Sequence, residues 1–292
     1  MNSDKKCPLL VKPLSQEGIY QSISKEEAGW RHLNMQARLM KKGEQWTQNT
    51  GGNEYAIILL GGNFSVNSDR GSWKTQNGRK DVFSGIGHAL YFSRNTKFTL
   101  TAESARLDIA YAWALAKNDF PAKFKTPDCA EIEIRGGDNA SRQINSLVEP
   151  GFGCDRLVAV EVYTPSGNWS SFPAHKHDER KIDAQGKVTE AALEETYFYK
   201  IDKSQGYAIQ QIYDDERKLN EIAIARNNDV VLVPKGYHPV VAGHGYNVYY
   251  LNFLAGSDQS LANSDDPDHQ WIYNSWTGKD PRVPLVTADL NG

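Results

Sequence analysis

Two stretches of this chain end in the same way, and that repetition limits the folds open to it. ALYFSRNTKFTLTAESARLDIAYAWALA begins at Ala89, and VVLVPKGYHPVVAGHGYNVYYLNFLAG begins at Val230. Each reads as strand, turn, strand, polar break and aromatic-rich strand. Aligned without gaps, Leu232–His238 falls on Tyr91–Lys97, so a histidine in the second half stands where the first has a lysine. Repetition of pattern rather than of letters predicts an internal duplication of a small β-barrel. The rest of the chain agrees. EYAIILLGGNFSV, AEIEIRGG, LVAVEVYTP and GYAIQQIYDD are short apolar runs bounded by Gly, Asn, Asp or Ser, with no long 3.6-residue period to compete. The expected class is all-β: two antiparallel barrels or jelly rolls with few short helices.

The division expected is a polar extension over residues 1–53, a first barrel over 54–125, a second over 126–256 and a tail over 257–292. Ser24 followed by Glu26 and Glu27 predicts a short helix near Ala28. DFPAKFKTPDC, with two prolines and no apolar period, reads as a linker.

Composition excludes several classes. The 292 residues carry 33 Lys+Arg against 36 Asp+Glu, a net charge of −3, unlike a general nucleic-acid backbone binder. No run approaches the ~18 apolar residues of a membrane-spanning helix, and the N-terminus has no apolar signal core. Cys7, Cys129 and Cys154 are an odd, sparse set without a CxxC, which suits a reducing cytoplasm rather than a disulfide scaffold.

The chemistry concentrates in the second half. His175-Lys176-His177 puts two imidazoles on one face of a strand, where both can reach one ion. In LEETYFYKI, alternation places Glu195, Tyr197 and Tyr199 on one face and Glu194, Thr196 and Phe198 on the other, with Glu194 expected at the exposed strand end. A carboxylate on an inward face must be paired or metal-bound. Pro234-Lys235-Gly236-Tyr237-His238 is a tight turn delivering a third histidine. HxH, then Glu, then a turn-borne His on successive strands is the cupin metal pattern. The departure is spacing, since a charged insertion separates Asp178 from Glu194.

GNWSSFPAHKHD, LEETYFYKID, DVVLVPKGYHPVVAGHGYNVYYLNFLAG, DPDHQWI and RGGDNASRQI resemble motifs of the 5-deoxy-glucuronate isomerase family, the bicupin enzymes of myo-inositol catabolism. The uronate ketol-isomerase of pectin breakdown is a more distant likeness. The resemblance implies a bicupin fold and His175, His177, Glu195 and His238 as ligands of a divalent ion, zinc first, with manganese or iron as alternatives. It also implies conversion of 5-deoxy-D-glucuronate to 5-dehydro-2-deoxy-D-gluconate. Candidates for the base or proton shuttle are Glu195, Tyr197, Tyr199 and His244. Candidates for the cation that meets the substrate carboxylate are Arg180, Arg142, Lys176 and Lys200. The partners expected are a small deoxy-uronic acid and, compatibly, further copies of the chain, with no nucleic acid or membrane. The competing readings are a metal-dependent cupin dioxygenase and a non-enzymatic sugar-binding cupin. The first barrel, lacking any HxH, is expected to hold no metal.

Overall fold

Alternation with a period of two sorts almost every long strand of this protein between two apolar environments. The structure is a computed structural model, and it describes residues 7–290. A six-stranded antiparallel sheet has the order Lys123–Lys125, Ala89–Phe92, Asn53–Gly61, Arg106–Leu115, Asn34–Lys41, Gly18–Ile23. It faces a four-stranded sheet of Gln45–Asn49, Lys97–Ala102, Phe64–Ser68 and Gly71–Lys74, closing the first barrel. The second barrel repeats the plan. Leu10–Val11, Val230–Val233, Leu193–Ile201, Val248–Gly256, Val158–Thr164, Arg142–Val148 and Glu131–Arg135 form its large sheet. Trp169–Ser170, Val240–Ala242, Ala208–Tyr213 and Asn220–Ala225 form its small one. With one strand more in the second large sheet, this is the expected duplication in an all-β bicupin.

The outer faces of the two large sheets pack against each other. Tyr20, Met35, Ile58, Tyr91 and Ala110 of the first meet Tyr163, Phe198, Tyr249, Leu251 and Phe253 of the second in one buried cluster. At its centre Arg79 Nη2 pairs with Glu161 Oε2 at 2.7 Å, both side chains fully buried. Arg79 also donates to the carbonyls of Leu59 and Gly85 and to Tyr163 Oη, while Glu161 accepts from Gly87 N–H and Tyr249 O–H. Such a pair is tolerated in an apolar interface because its remaining hydrogen-bonding groups are met as well.

Two glutamates clamp the barrels reciprocally. Glu54 accepts from the amides of Asp155, Arg156 and Leu157 at 2.7–2.9 Å. Glu194 accepts from those of Arg31, His32 and Leu33 at 2.6–2.9 Å. Each amide triplet leads into the corresponding strand of the opposite barrel, Val158–Thr164 and Asn34–Lys41. Glu194 is thus a structural acceptor rather than the free strand-end group expected.

Two expectations need correction. Residues 1–53 are not an extension laid over the barrels: Gly18–Ile23, Asn34–Lys41 and Gln45–Asn49 are paired strands of the first barrel, and Leu10–Val11 pairs with Val230–Val231 of the second. Their mixed polar composition hid strands buried on one face only. The linker contributes Lys123–Lys125 to the first barrel's sheet. In the C-terminal segment Val286 is buried in the cluster between the barrels, and its carbonyl accepts from Gln143; residues 1–6 and 291–292 lie outside those described. The short helix is Lys25–Ala28, where Ser24 Oγ accepts from Glu27 N–H as an N-cap.

Candidate metal centre

Strand Leu193–Ile201 is the axis of the site. Its outward residues Glu194, Phe198 and Lys200 face the first barrel, and Glu195, Tyr197 and Tyr199 face the second barrel's interior. Strand Val230–Val233 runs beside it, with Val233 opposite Glu195, so the turn Pro234–Tyr237 swings His238 over that carboxylate. Gly236 holds φ at +87°, and a Cβ there would come within 2.4 Å of the Tyr213 carbonyl.

The HxH segment arrives from the other side. His175–Lys176 pairs with Ser264–Asp265 of the C-terminal segment, and the Asp266 amide donates to the Ala174 carbonyl at 2.8 Å. The Asp266 carboxylate accepts from Tyr213 O–H at 2.7 Å, fixing that crossing. The charged insertion explains itself here. It folds into a hairpin, Lys181–Ile182 against Val188–Glu190. The buried Glu190 carboxylate gathers the amides of Asp178 and Glu179, Lys181 Nζ and Ser264 Oγ at the hairpin's base. The chain therefore returns to where it left, and Leu193 N–H donates to the His177 carbonyl at 3.0 Å.

The result is a compact trio. His177 Nε2 lies 3.0 Å and His238 Nε2 3.3 Å from Glu195 Oε2. All three side chains are buried, and their ligand atoms lie within 4.8 Å of one another. The tautomers follow from the opposite nitrogens. His177 Nδ1 is 3.1 Å from the Leu193 carbonyl and His238 Nδ1 2.8 Å from that of Gly236. A carbonyl only accepts, so both Nδ1 atoms carry protons, and the Nε2 lone pair of a neutral ring points at the carboxylate. Burial holds His238 at about 3, so its ring is neutral, and its buried Nε2 has no hydrogen-bond partner. At His238 that lone pair faces the carboxylate with nothing between them, which is repulsive, and a cation held there would relieve it. For His177 burial acts downward, but the hydrogen bond and charge of Glu195 outweigh it and raise the pKa.

His175 stands next to the trio but outside it. Its ring packs edge-on against His238 at 4.9 Å between centroids, and its pKa is pushed down to about 3 by burial, then by His177 and Arg142.

The base candidates separate. Tyr197 O–H is 2.8 Å from Ser171 Oγ, and Tyr199 O–H donates to Gln210 Oε1 at 2.8 Å. Burial first, then neighbouring acidic groups, raises both phenols well above their ordinary range, so they are donors. His244 is exposed in the hairpin loop beside Ile201 and Val248, roughly 20 Å along the strand from Glu195. The structure does not bring it to the site.

The carboxylate-binding candidates separate as well. Arg180 pairs with Asp258 and Lys176 with Asp215, both at the surface. Lys200 is turned by alternation into the inter-barrel face, where it pairs with Asp108 at 2.8 Å and touches Tyr20 Oη. Only Arg142 is buried near the trio, its Nη1 donating to the Phe172 carbonyl at 2.8 Å. Of the other histidines, His32 contacts Arg156, His88 is buried against Phe124, and His269 lies 5.9 Å from the Phe172 ring.

Sequence reasoning missed Tyr250, Ser170 and Ser171. Tyr250 lies opposite Tyr199, 4.7 Å from the Tyr197 ring, and shares a hydrogen bond with Ser170 Oγ. Period-two alternation in NVYYLNFLAG would have placed it inward. Ser171, at φ +48°, carries no sequence signal for its conformation.

Comparison with known proteins comes to the same fold. The KduI/IolB family profile matches residues 9–272, first barrel included. A 5-deoxy-glucuronate isomerase of Geobacillus thermodenitrificans is 36% identical over 262 residues, 89% of this chain and 93% of that protein. The protein of that name from Bacillus subtilis is 32% identical over 272 residues, 90% and 98% of the two chains. The crystal structure of an IolB-like protein from Salmonella typhimurium superposes with a TM-score of 0.86 at 33% identity, covering 90% of this chain and 98% of that one. Oxalate decarboxylase of Lactobacillus farciminis, at 10% identity and a TM-score of 0.63 over 90% of each chain, shares the fold alone.

Proposed function

This chain belongs to the KduI/IolB family, and from that membership we propose a metal-dependent aldose–ketose isomerase that converts 5-deoxy-D-glucuronate to 5-dehydro-2-deoxy-D-gluconate. The observation that carries the metal dependence is the convergence of His177 Nε2, His238 Nε2 and Glu195 Oε2 with both Nδ1 atoms tied to backbone carbonyls. His177, Glu195 and His238 would hold the ion and His175, beside them, would complete the set. Zinc suits three imidazoles and a carboxylate, with manganese or iron as alternatives. A divalent ion held there supplies Lewis acidity, which makes the C–H next to a sugar carbonyl acidic.

The chain's own groups do the rest. Glu195 Oε2 is engaged by His177, and Oε1, which makes no hydrogen bond among the described residues, is the atom that takes the proton from one carbon and returns it to the next. Tyr197 O–H and Tyr250 O–H, held neutral by burial, donate to substrate oxygens. The aromatic floor of Tyr197, Tyr199 and Tyr250 limits water around the enediol. A reducing compartment, the cytoplasm, suits three free cysteines.

The test is product formation from 5-deoxy-glucuronate by purified protein before and after chelation. Loss on chelation and recovery with one added divalent metal is expected. Equal turnover by the chelated protein, or none by the loaded one, counts against the reading.

A further inference from the structure

Strand register puts two arginines face to face at the rim of the second barrel. Arg135 lies directly opposite Arg142 in the ladder between Glu131–Arg135 and Arg142–Val148. Like charges directly opposite one another destabilise a ladder. The two share the face of Ile144, which belongs to the interior cluster of that barrel. Arg135 has a counter-charge, since its Nε and Nη2 donate to Glu133 at 3.0 and 2.6 Å. Arg142 has none among the described residues, although it is only 5% exposed. Its Nη1 donates to the carbonyls of Phe172 and Ala140 at 2.8 and 3.2 Å, and its Nε and Nη2 donate to no acceptor among the described residues.

The surroundings are built to hold this guanidinium. A Cβ at Gly136 would come within 2.6 Å of Arg142 Nη1 and 2.0 Å of the Ala140 carbonyl, so only glycine leaves the room. Burial first, with Arg135 adding to it, lowers Arg142 to about 10, still cationic at neutral pH. The charge is felt at the metal trio's edge: Arg142 and Arg135 both depress His175, and Tyr250 and Tyr197 act on Arg142. A buried cation with free donors, its neighbour also cationic, needs an anion. The other cations considered, Arg180, Lys176 and Lys200, are already neutralised by Asp258, Asp215 and Asp108.

We propose that Arg142, with Arg135 at the rim, is an anion subsite that receives the carboxylate of the sugar acid and so sets the preference for uronic acids over neutral sugars. That identity of the ligand rests on the isomerase reading; the need for a carboxylate-like anion does not. Free Nε and Nη2 are the fork that meets a carboxylate bidentately.

The experiment uses the full-length metal-loaded protein and two measurements: calorimetric binding of D-glucuronate against D-glucose, and steady-state isomerisation of 5-deoxy-glucuronate. Arg142→Met should weaken glucuronate about 30- to 100-fold and raise KM to match, with kcat and metal content nearly unchanged. Arg142→Lys, keeping the charge and losing the fork, should lose roughly tenfold, and Arg135→Ala about threefold. Glucuronate binding that is unchanged in folded, metallated Arg142→Met overturns the proposal. Should Arg142→Met not fold, unchanged binding in both Arg142→Lys and Arg135→Ala overturns it equally, as does a wild type that binds glucuronate no better than glucose. A wild type that fails to isomerise 5-deoxy-glucuronate, yet binds glucuronate through Arg142, supports the subsite and retires the isomerase reading.

Discussion

Tyr55 in the first barrel and Glu195 in the second occupy the same place: third in the strand, facing inward, opposite the last residue of the neighbouring strand, Phe92 or Val233. Tyr55 packs among Phe98, Trp113 and Phe92, while Glu195 meets two imidazoles. Where His238 turns inward, the first barrel has Phe98, stacked on Phe92 at 4.8 Å. Lys97, which the gapless alignment set against His238, faces solvent. The strand Gln45–Asn49 leads through a tight turn into Asn53–Gly61, whereas Trp169–Ser170 is followed by the long excursion that carries His175 and His177. One topology thus serves two purposes. A barrel filled with rings is a structural core, and a barrel whose loop is lengthened and whose rings give way to His and Glu is a site.

The largest expected effects come from deleting one inward residue of each barrel. His238→Ala should lower isomerase turnover roughly a thousandfold or more and remove the metal, yet leave the urea midpoint within the range of an ordinary substitution. Phe98→Ala should do the reverse, costing about 3–5 kcal/mol of stability with kcat intact per folded molecule. Metal analysis, turnover and urea denaturation on both variants test this contrast. A metal-free His238→Ala that is as unstable as Phe98→Ala would erase it.

A carboxylate alone should not convert one barrel into the other. Tyr55→Glu buries a charge among aromatic rings with no histidine near, and should destabilise by roughly 3 kcal/mol or more without binding a second ion. Stoichiometric uptake of a second ion by that variant would contradict the account.

How much of this contrast was legible follows from what each signal depends on. HxH, Glu195 and His238 were readable because strand alternation and turn chemistry are local. The first-barrel strands before residue 54 were not, because Asn34–Lys41 and Gln45–Asn49 mix polar and apolar residues, and only tertiary pairing shows which face is inside. Lys200 was misjudged for a related reason: it is one residue from Tyr199 but on the opposite face, in contact with the other barrel. Arg142 was visible only as one of four cations, since the absence of an acidic partner is a property of the folded chain.

The reciprocal clamps sharpen the comparison on a smaller scale. Glu54 is fully buried and also accepts from Tyr91 O–H, so Glu54→Ala leaves several buried donors unmet and should cost roughly 3 kcal/mol. Glu194 is partly exposed, and water replaces some of its bonds, so Glu194→Ala should cost about 1–2 kcal/mol. Equal urea midpoints for the two variants would remove the distinction. Smaller still in stability is Tyr197→Phe, which loses one hydrogen bond to Ser171; kcat should fall about tenfold with metal content unchanged, consistent with an orienting donor.

The central claim is that the second barrel alone is a metal site, and counting ions tests it most directly. Elemental analysis of the purified full-length chain after saturation with zinc and removal of excess should give one tightly bound ion per chain, falling to none in His177→Ala. Retention of the ion by His177→Ala, or two tightly bound ions in the wild type, would contradict it.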